Sequence, residues 1–220
     1  MTREELIKKV ALKMDEISSS DDVIVAVDSS DNNPLYTQIN GLLNESINDI
    51  LTKAPIHRLT SFVNVVRQGN TDTCDAPVGN RRIVVFNVPT DFIRLVSIVD
   101  TKFKRPIVEL SFEGDEVDKR QHNKFLIAKS SKPVAVLGLN AEGQGEKKIT
   151  CYSYDKNTTP SPTMHYISRF NGALDLSSNI TIDDYLADIV SWACAGRVFA
   201  AQGDVNKGQL CDNNATALMV

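Results

Sequence analysis

Between Arg81 and Asp100 the chain reads RRIVVFNVPTDFIRLVSIVD, and this stretch constrains the fold more than any other. Residues 83–88 form an almost unbroken apolar run rich in β-branched side chains, the pattern of a strand buried on both faces. Pro89 has no N–H to give a ladder and holds Val88 extended, so the strand stops there. Thr90 and Asp91 bring turn chemistry, because short polar side chains bond back to nearby amides. Phe92 then starts a second apolar strand, through Val99, with one internal charge, Arg94. A corner of this kind builds a core and not a reaction centre.

The rest of the chain must supply what covers those strands. At 220 residues there is room for one large domain or two small ones. With 42% hydrophobic and 24% charged residues the composition is that of an ordinary globular protein. No apolar run approaches the roughly 20 residues that span a bilayer, so no membrane contact is expected. The N-terminus, MTREELIKKV, is charged and amphipathic without a signal-peptide core. Cys74, Cys151, Cys194 and Cys211 show neither CxxC pairing nor metal-ligand spacing and read as reduced, partly buried thiols.

The net charge of −4 is unevenly spread: residues 1–60 carry 6 Lys/Arg against 10 Asp/Glu, residues 61–150 carry 14 against 11, and residues 151–220 carry 4 against 7. Acidic ends around a mildly basic middle do not suit a phosphate-gripping protein, whose affinity comes from clustered cations. The one local basic cluster, Lys102, Lys104 and Arg105, reads as a solvated strand end.

Thr2 and Glu5 fit a capping box, and Leu6, Ile7, Val10, Met14 and Ile17 follow at helical spacing. Residues 23–27, VIVAV, are too short for a helix. They suit either a strand tucked under the loop or an edge strand that pairs with a neighbouring subunit. A second helix is expected with Asn33 as N-cap and Pro34 at its first position. Its apolar stripe is Leu35, Ile39, Leu42, Leu43, Ile47, Ile50 and Leu51, and Pro55 ends it. Two short helices cannot hide both stripes, so more helices are needed.

From Thr60 the pattern turns to strands, expected at 61–68, 83–88, 92–99, 106–112, 124–128, 133–139, 148–154 and 165–170, with a short helix at 115–123. Turns are expected at 69–72, 141–145 and 157–162. Such spacing suggests an antiparallel sandwich or barrel. A third long helix is expected with Thr181 as cap, Asp183 and Asp184 in its first turn, and Ile182, Tyr185, Leu186, Ile189, Trp192, Ala193 and Gly196 on its packed side. Gly203 ends it, and Asp204 begins a weaker helix. The expected fold is therefore α+β. A helical bundle from both termini (residues 1–59 with 178–220) carries an inserted antiparallel β-sandwich or barrel (60–177).

Signs of chemistry are scarce. His57, His122 and His165 stand alone, without partners at ligand spacing. Glu113, Asp115, Glu116 and Asp118 lack the ligand order of a calcium loop and read as a solvated helix start. Gly143-Gln144-Gly145 lacks the rest of a nucleotide fingerprint and reads as a hairpin tip. Asp183 and Asp184 are adjacent and do not share a helix face. Aromatic residues are few and not interleaved with basic ones, so no stacking platform for single strands is evident. No catalytic, cofactor-binding or metal-ligating residue is assigned, and no cofactor is expected.

Three stretches together carry a resemblance: LNESINDILTKAP closing the N-terminal helix pair, the VPTDFIRLVSI corner, and LADIVSWACAGRVFAAQGDVNKGQ near the C-terminus. The chain resembles the head-to-tail adaptor proteins of short-tailed bacteriophages, also called head-completion, ring or tail-tubular proteins, with members in crAss-like phages. Pro89, Asp91, Phe92 and Arg94 match that family's corner, and Gly203 and Asp204 match its break between helices. The VIVAV segment and the 155–163 loop depart from it.

The resemblance implies a non-enzymatic structural protein of the virion, made in the host cytoplasm. Many copies would form a homo-oligomeric ring between portal and tail, twelve-fold to match the portal, with tail or further ring proteins below. Genomic DNA would pass through the channel without sequence-specific binding, and a lumen of little net positive charge would let it slide. A head-to-tail interface that closes generates such a ring. The acidic helical part would face channel or portal, and the terminal ATALMV either docks on a neighbour or frays. The other readings are a different virion ring or tail hub component, a cytosolic binding module, and a β-domain hydrolase.

Overall fold

The corner at Pro89 carries the chain from one β-sheet to another, and the β-unit is built around that transfer. The computed structural model describes residues 1–17, 34–67, 72–75, 81–123, 125–139, 147–155 and 159–219. The helices are α1 (Arg3–Ile17), α2 (Pro34–Lys53), α3 (Glu116–Gln121), α4 (Asp184–Ala201) and α5 (Val205–Met219). The strands are β1 (Val63–Arg67), β2 (Asp72–Asp75), β3 (Arg81–Asn87), β4 (Phe92–Val99), β5 (Leu110–Phe112), β6 (Val134–Leu139), β7 (Lys147–Asp155) and β8 (Thr163–Ser168). The fold is α+β, with N- and C-terminal helices and largely antiparallel sheets. Two units form: Met1–Phe62 with Arg169–Val220, and Val63–Ser168.

In the helical unit, α1 starts on a reciprocal cap. Thr2 N–H donates to Glu5 Oε2 at 2.7 Å and Glu5 N–H to Thr2 Oγ1 at 3.2 Å. Leu6, Ile7, Val10 and Met14 are buried along its inner face. Helix α2 begins at Pro34 and stops at Lys53, before Pro55; the expected cap Asn33 and the VIVAV segment lie outside the described residues. Its stripe is narrower than expected, because Leu35 and Leu42 are only half-buried.

Helix α4 packs on α1, α2 and α5, so both termini contribute to one bundle. It is the central helix and buries residues around most of its circumference, Leu186, Val190, Cys194 and Val198 among them, where one packed side was expected. Its N-cap is Asp183, whose carboxylate accepts from Leu186 N–H at 2.7 Å, and not Thr181. Gly203, at φ +90°, closes α4: its N–H donates to Ala200 O and the Asp204 N–H to Phe199 O, the paired bonds of a Schellman ending. Asp204 then accepts from Lys207 N–H at 3.1 Å and starts α5. That helix runs through Met219 with Ala215 buried, so ATALMV through its methionine is helical.

An extended segment, residues 169–180, ties the two ends of the helical unit together. Its alternate carbonyls, from Phe170 to Ile180, all accept hydrogen bonds. The donors are the side-chain amides of Asn48, Asn44 and Asn40, then the backbone amides of Glu4 and Arg3, and last the Met1 amino group. Glu4 and Arg3 lie in the first turn of α1, where backbone donors have no partner within the helix.

The β-unit has a three-stranded antiparallel sheet, β1-β8-β4, and a five-stranded sheet, β2-β3-β7-β6-β5, antiparallel except for the β5–β6 pair. The two sheets share one core, with Val84, Phe86, Ala135, Ile149 and Cys151 meeting Leu95, Ile98, Met164 and Tyr166. It is a two-sheet arrangement and not a closed barrel. Strand β3 is covered on both faces, as its sequence predicts: Val84 and Phe86 point into this core, and Ile83 packs with Ala128, Val136 and Tyr152 on the other side. A bulge opposite Arg82 and Ile83 lets Cys151 and Tyr154, three residues apart on β7, both enter the core.

Three strand expectations are corrected. Residues 125–128 form turns, because Asn123 captures the Phe125 amide through its side chain and the Leu126 and Ile127 amides through its carbonyl. Residues 106–112 are divided between sheets: Ile107 exchanges both backbone bonds with Ile98, and Leu110–Phe112 joins β6. Asp72, expected in a turn, opens β2; its sequence DTCD has no apolar alternation to announce it. The last strand ends at Ser168, before Phe170.

Candidate functional site: an apolar groove beside the Pro89 corner

The corner is pinned by Tyr166 of β8. Phe92 N–H donates to Pro89 O at 3.1 Å and closes the turn. Asp91 Oδ1 accepts from the Tyr166 hydroxyl at 3.1 Å, and the Phe92 ring stacks on the Tyr166 ring at 5.7 Å. Burial first, and then the bond to Asp91, pushes the Tyr166 phenol up. At the far end of β4 a second aspartate does similar work. Asp100 Oδ2 accepts from the Tyr154 hydroxyl at 3.0 Å and from Ser161 N–H at 2.7 Å.

Between these anchors β4 leaves a groove open. Near Val99 its outer edge is closed by Ile107, but along Phe92 to Leu95 it has no strand neighbour among the described residues. The resulting space, of about 810 Å³, is lined by the corner and by side chains of β5 and β6. Val88, Pro89, Phe92, Leu95, Leu110 and Leu137 form its apolar wall, with Val108 and Phe112 on its margin. Val108 is 57% exposed and Phe112 61%. Among the described residues its charged lining is Arg94 and Lys147. Such a site can hold an apolar segment and attract negative charge to its margin.

Among the described residues, those with catalytic or ligating potential do not converge there. His57 lies exposed on a single 3₁₀ turn, His165 on β8, and His122 at the C-terminus of α3, 3.8 Å from Asp118. The acidic run holds a turn: Asp115 accepts from Phe112 N–H and Asp118 from Gly114 N–H, both at 2.9 Å. Asp118 is buried by this duty, which corrects the reading of the whole run as solvated. Gly143–Gly145 lies outside the described residues. Among the described residues, no three His, Cys, Asp or Glu side chains are grouped to hold a metal ion. Cys151, Cys194 and Cys211 are free and buried; burial pushes the Cys194 and Cys211 thiols up to about 11 and the Cys151 thiol further.

Sequence reasoning missed the groove. It placed 106–112 in one strand, which would give Val108 and Phe112 a sheet on each side. The departure from β4 comes after Ile107, which pairs with Ile98 although it follows Pro106, and no proline or glycine between Ile107 and Leu110 marks it. Compared with known protein families and with curated proteins, the sequence matches no family model and no curated protein.

Proposed function

We propose that this chain is a structural subunit of a short-tailed bacteriophage, one copy of a ring that joins portal to tail and extends the DNA channel. The resemblance drawn from the 89–94 corner and the Gly203-Asp204 break supports this reading. The observation that carries it is the division of labour between the two units. The helical unit is built from both chain ends, and the inserted β-unit presents an apolar groove beside the resemblance-bearing corner. A subunit with two unlike surfaces is what a head-to-tail, closing interface requires. The scarcity of Lys and Arg at both ends suits a channel through which DNA slides. In this reading the protein is not an enzyme and needs no cofactor; its partners are further copies of itself, the portal above and tail or ring proteins below.

The test is to mix purified protein with portal rings and follow co-sedimentation and electron micrographs. Rings of this chain stacked coaxially on the portal are the expected result. Protein that stays monomeric at high concentration and does not sediment with portal would overturn the proposal.

A further inference from the structure

Two turns of the β-unit that lie far apart in sequence meet and gather five exposed cations. In the first, Phe103 N–H donates to Asp100 O at 3.1 Å; in the second, Lys132 N–H donates to Lys129 O at 2.8 Å. Lys104 N–H donates to Ser130 O at 3.0 Å and holds the two turns together. Lys102, Lys104, Arg105, Lys129 and Lys132 are all exposed, and among the described residues no carboxylate pairs with any of their side chains. The nearest carboxylate in sequence, Asp100, is already held: Oδ1 accepts from Lys102 N–H, and Oδ2 from the Tyr154 hydroxyl and Ser161 N–H. Phe103 turns inward, its ring 4.9 Å from that of Tyr154, so the turns show to water only cations and the hydroxyl residues Thr101 and Ser131.

We infer that this face of the β-unit binds the phosphate backbone of duplex DNA, without regard to base sequence. The net charge of −4 conceals it, because the excess at both ends is negative and that of residues 61–150 is positive. A single small anion is not held here, since one exposed ion pair multiplies affinity by no more than about fivefold. A ligand that engages all five cations must repeat its charge. Duplex DNA carries one per about 1.7 Å of axis and releases counterions as lysines replace them. Lys, Arg, Ser and Thr are among the side chains that contact phosphates, and such contacts position a protein without reading sequence. An acidic protein surface would need apolar anchors at the centre of the contact, and the outward residues of these turns supply none. Backbone contacts of this kind also let a protein slide along the duplex.

The inference goes beyond the ring and does not need it, so portal-free protein tests it. The full chain is titrated into a fluorescently labelled duplex of about 20 base pairs and anisotropy is followed. The expected Kd is about 1–100 μM at about 150 mM salt, tightening about a hundredfold at about 50 mM, as four or five phosphate contacts require. Lys129→Ala with Lys132→Ala, and Lys102→Ala with Lys104→Ala, keep the backbone bonds that join the turns. Each pair should weaken binding at low salt by at least about tenfold and take about two from the slope of log K on log salt, with unchanged far-UV circular dichroism. Lys8→Ala with Lys53→Ala removes the same charge from the helical unit and should leave binding within about twofold. A second duplex of unrelated sequence should bind within about threefold, and a larger preference overturns the backbone reading. No binding at low salt, an unchanged slope in either patch variant, or an equal loss from the Lys8 and Lys53 pair overturns the inference. So does equally tight binding of labelled poly-glutamate, which would assign the patch to an acidic protein surface. Rings on portal without DNA binding would reject the patch and spare the ring; DNA binding without portal binding would do the reverse.

Discussion

Asn48 of α2 grips the backbone of Phe170 with both ends of its side-chain amide: Oδ1 accepts from the Phe170 N–H at 2.8 Å, and Nδ2 donates to the Phe170 carbonyl at 3.0 Å. Asn44 and Asn40 repeat the donor half of this bond to Gly172 and Leu174. The match is geometric. Four residues of helix rise about 6 Å and two residues of extended chain about 6.6 Å, so asparagines at every fourth position meet alternate carbonyls. The buried Arg3 guanidinium joins the same ladder, donating to Asn44 Oδ1 at 2.8 Å and to the Asn40 carbonyl at 2.8 Å.

Asn48→Ala removes one rung and should lower stability by about 1–3 kcal/mol, the cost of leaving the Phe170 backbone groups unpartnered. Asn44→Ala should cost more, because it also takes an acceptor from a buried guanidinium, and bonds to charged groups contribute roughly 1.5–3 kcal/mol. Urea unfolding of the full chain measures both. Equal losses for the two variants would mean that the Arg3 bond to Asn44 is worth no more than the bond Asn48 accepts from the Phe170 N–H.

Two glycines within helices predict opposite outcomes for one substitution. A Cβ at Gly196 of α4 would lie 2.7 Å from Asp212 Oδ1 and 3.1 Å from the Gly208 carbonyl oxygen of α5. The carboxylate can move and the carbonyl cannot, so Gly196→Ala should destabilise by about 1–3 kcal/mol through forced separation of the helices. A Cβ at Gly41 of α2 meets nothing within 4 Å. Gly41→Ala should stabilise by about 0.5–1 kcal/mol, since alanine restricts the unfolded chain and suits a helix. Melting temperatures of opposite shift would confirm the α4–α5 contact; a stabilising Gly196→Ala would refute it.

The buried thiols and the Tyr154 phenol set an alkaline limit. Burial, and then the Asp100 carboxylate, pushes the Tyr154 phenol up, and burial pushes up the thiols of Cys151, Cys194 and Cys211. In the unfolded chain thiols ionise near pH 8.5 and tyrosines near pH 10. Above those values the unfolded state releases protons that the folded state keeps, so stability falls with rising pH. The decline should begin at about pH 8.5–9 and approach 1.4 kcal/mol per pH unit for each group ionised only when unfolded. The Cys194 and Cys211 contributions level off near 11, where the native thiols ionise as well. Tyr154→Phe should cost about 1–2 kcal/mol at pH 7, when Asp100 loses one donor but keeps Ser161 and Lys102, and should flatten the slope above pH 10. Urea titrations at pH 7, 9 and 10.5 decide it; an unchanged slope in the variant would show that Tyr154 ionises freely in the folded protein.

How much of this was legible depends on the range of the forces involved. Short-range rules carried the Thr2–Glu5 cap, the start of α2 at Pro34, the extent of β4 and the Gly203 stop, because capping, proline geometry and glycine φ act within a few residues. Where partners are distant, reading along the chain failed. The asparagines at 40, 44 and 48 have helical spacing in the sequence, but nothing nearby says that an extended segment will lie across them. The division of residues 106–112 between two sheets depends on what β4 and β6 offer, and the central position of α4 depends on three other helices. The groove inherits that blindness. It is the space left when Ile107 pairs with β4 and Leu110 does not.

Phe92 separates the structural role of the corner from its role in the groove. Its ring stacks on Tyr166 and packs against the shared core, yet it is only half-buried and one side faces the groove. A fully buried phenylalanine cut to alanine loses about 3–5 kcal/mol, so Phe92→Ala should lose less, about 1.5–3 kcal/mol. Asp91→Ala removes the acceptor from the Tyr166 hydroxyl and should cost about 1–2 kcal/mol. The two side chains hold the same tyrosine, so their effects should not add: the double variant should fall short of the sum by about 0.5 kcal/mol or more. A double-mutant cycle in urea measures the shortfall. Strict additivity would mean that Tyr166 is held by its own strand, and that the aspartate and the aromatic of the corner act on β4 independently.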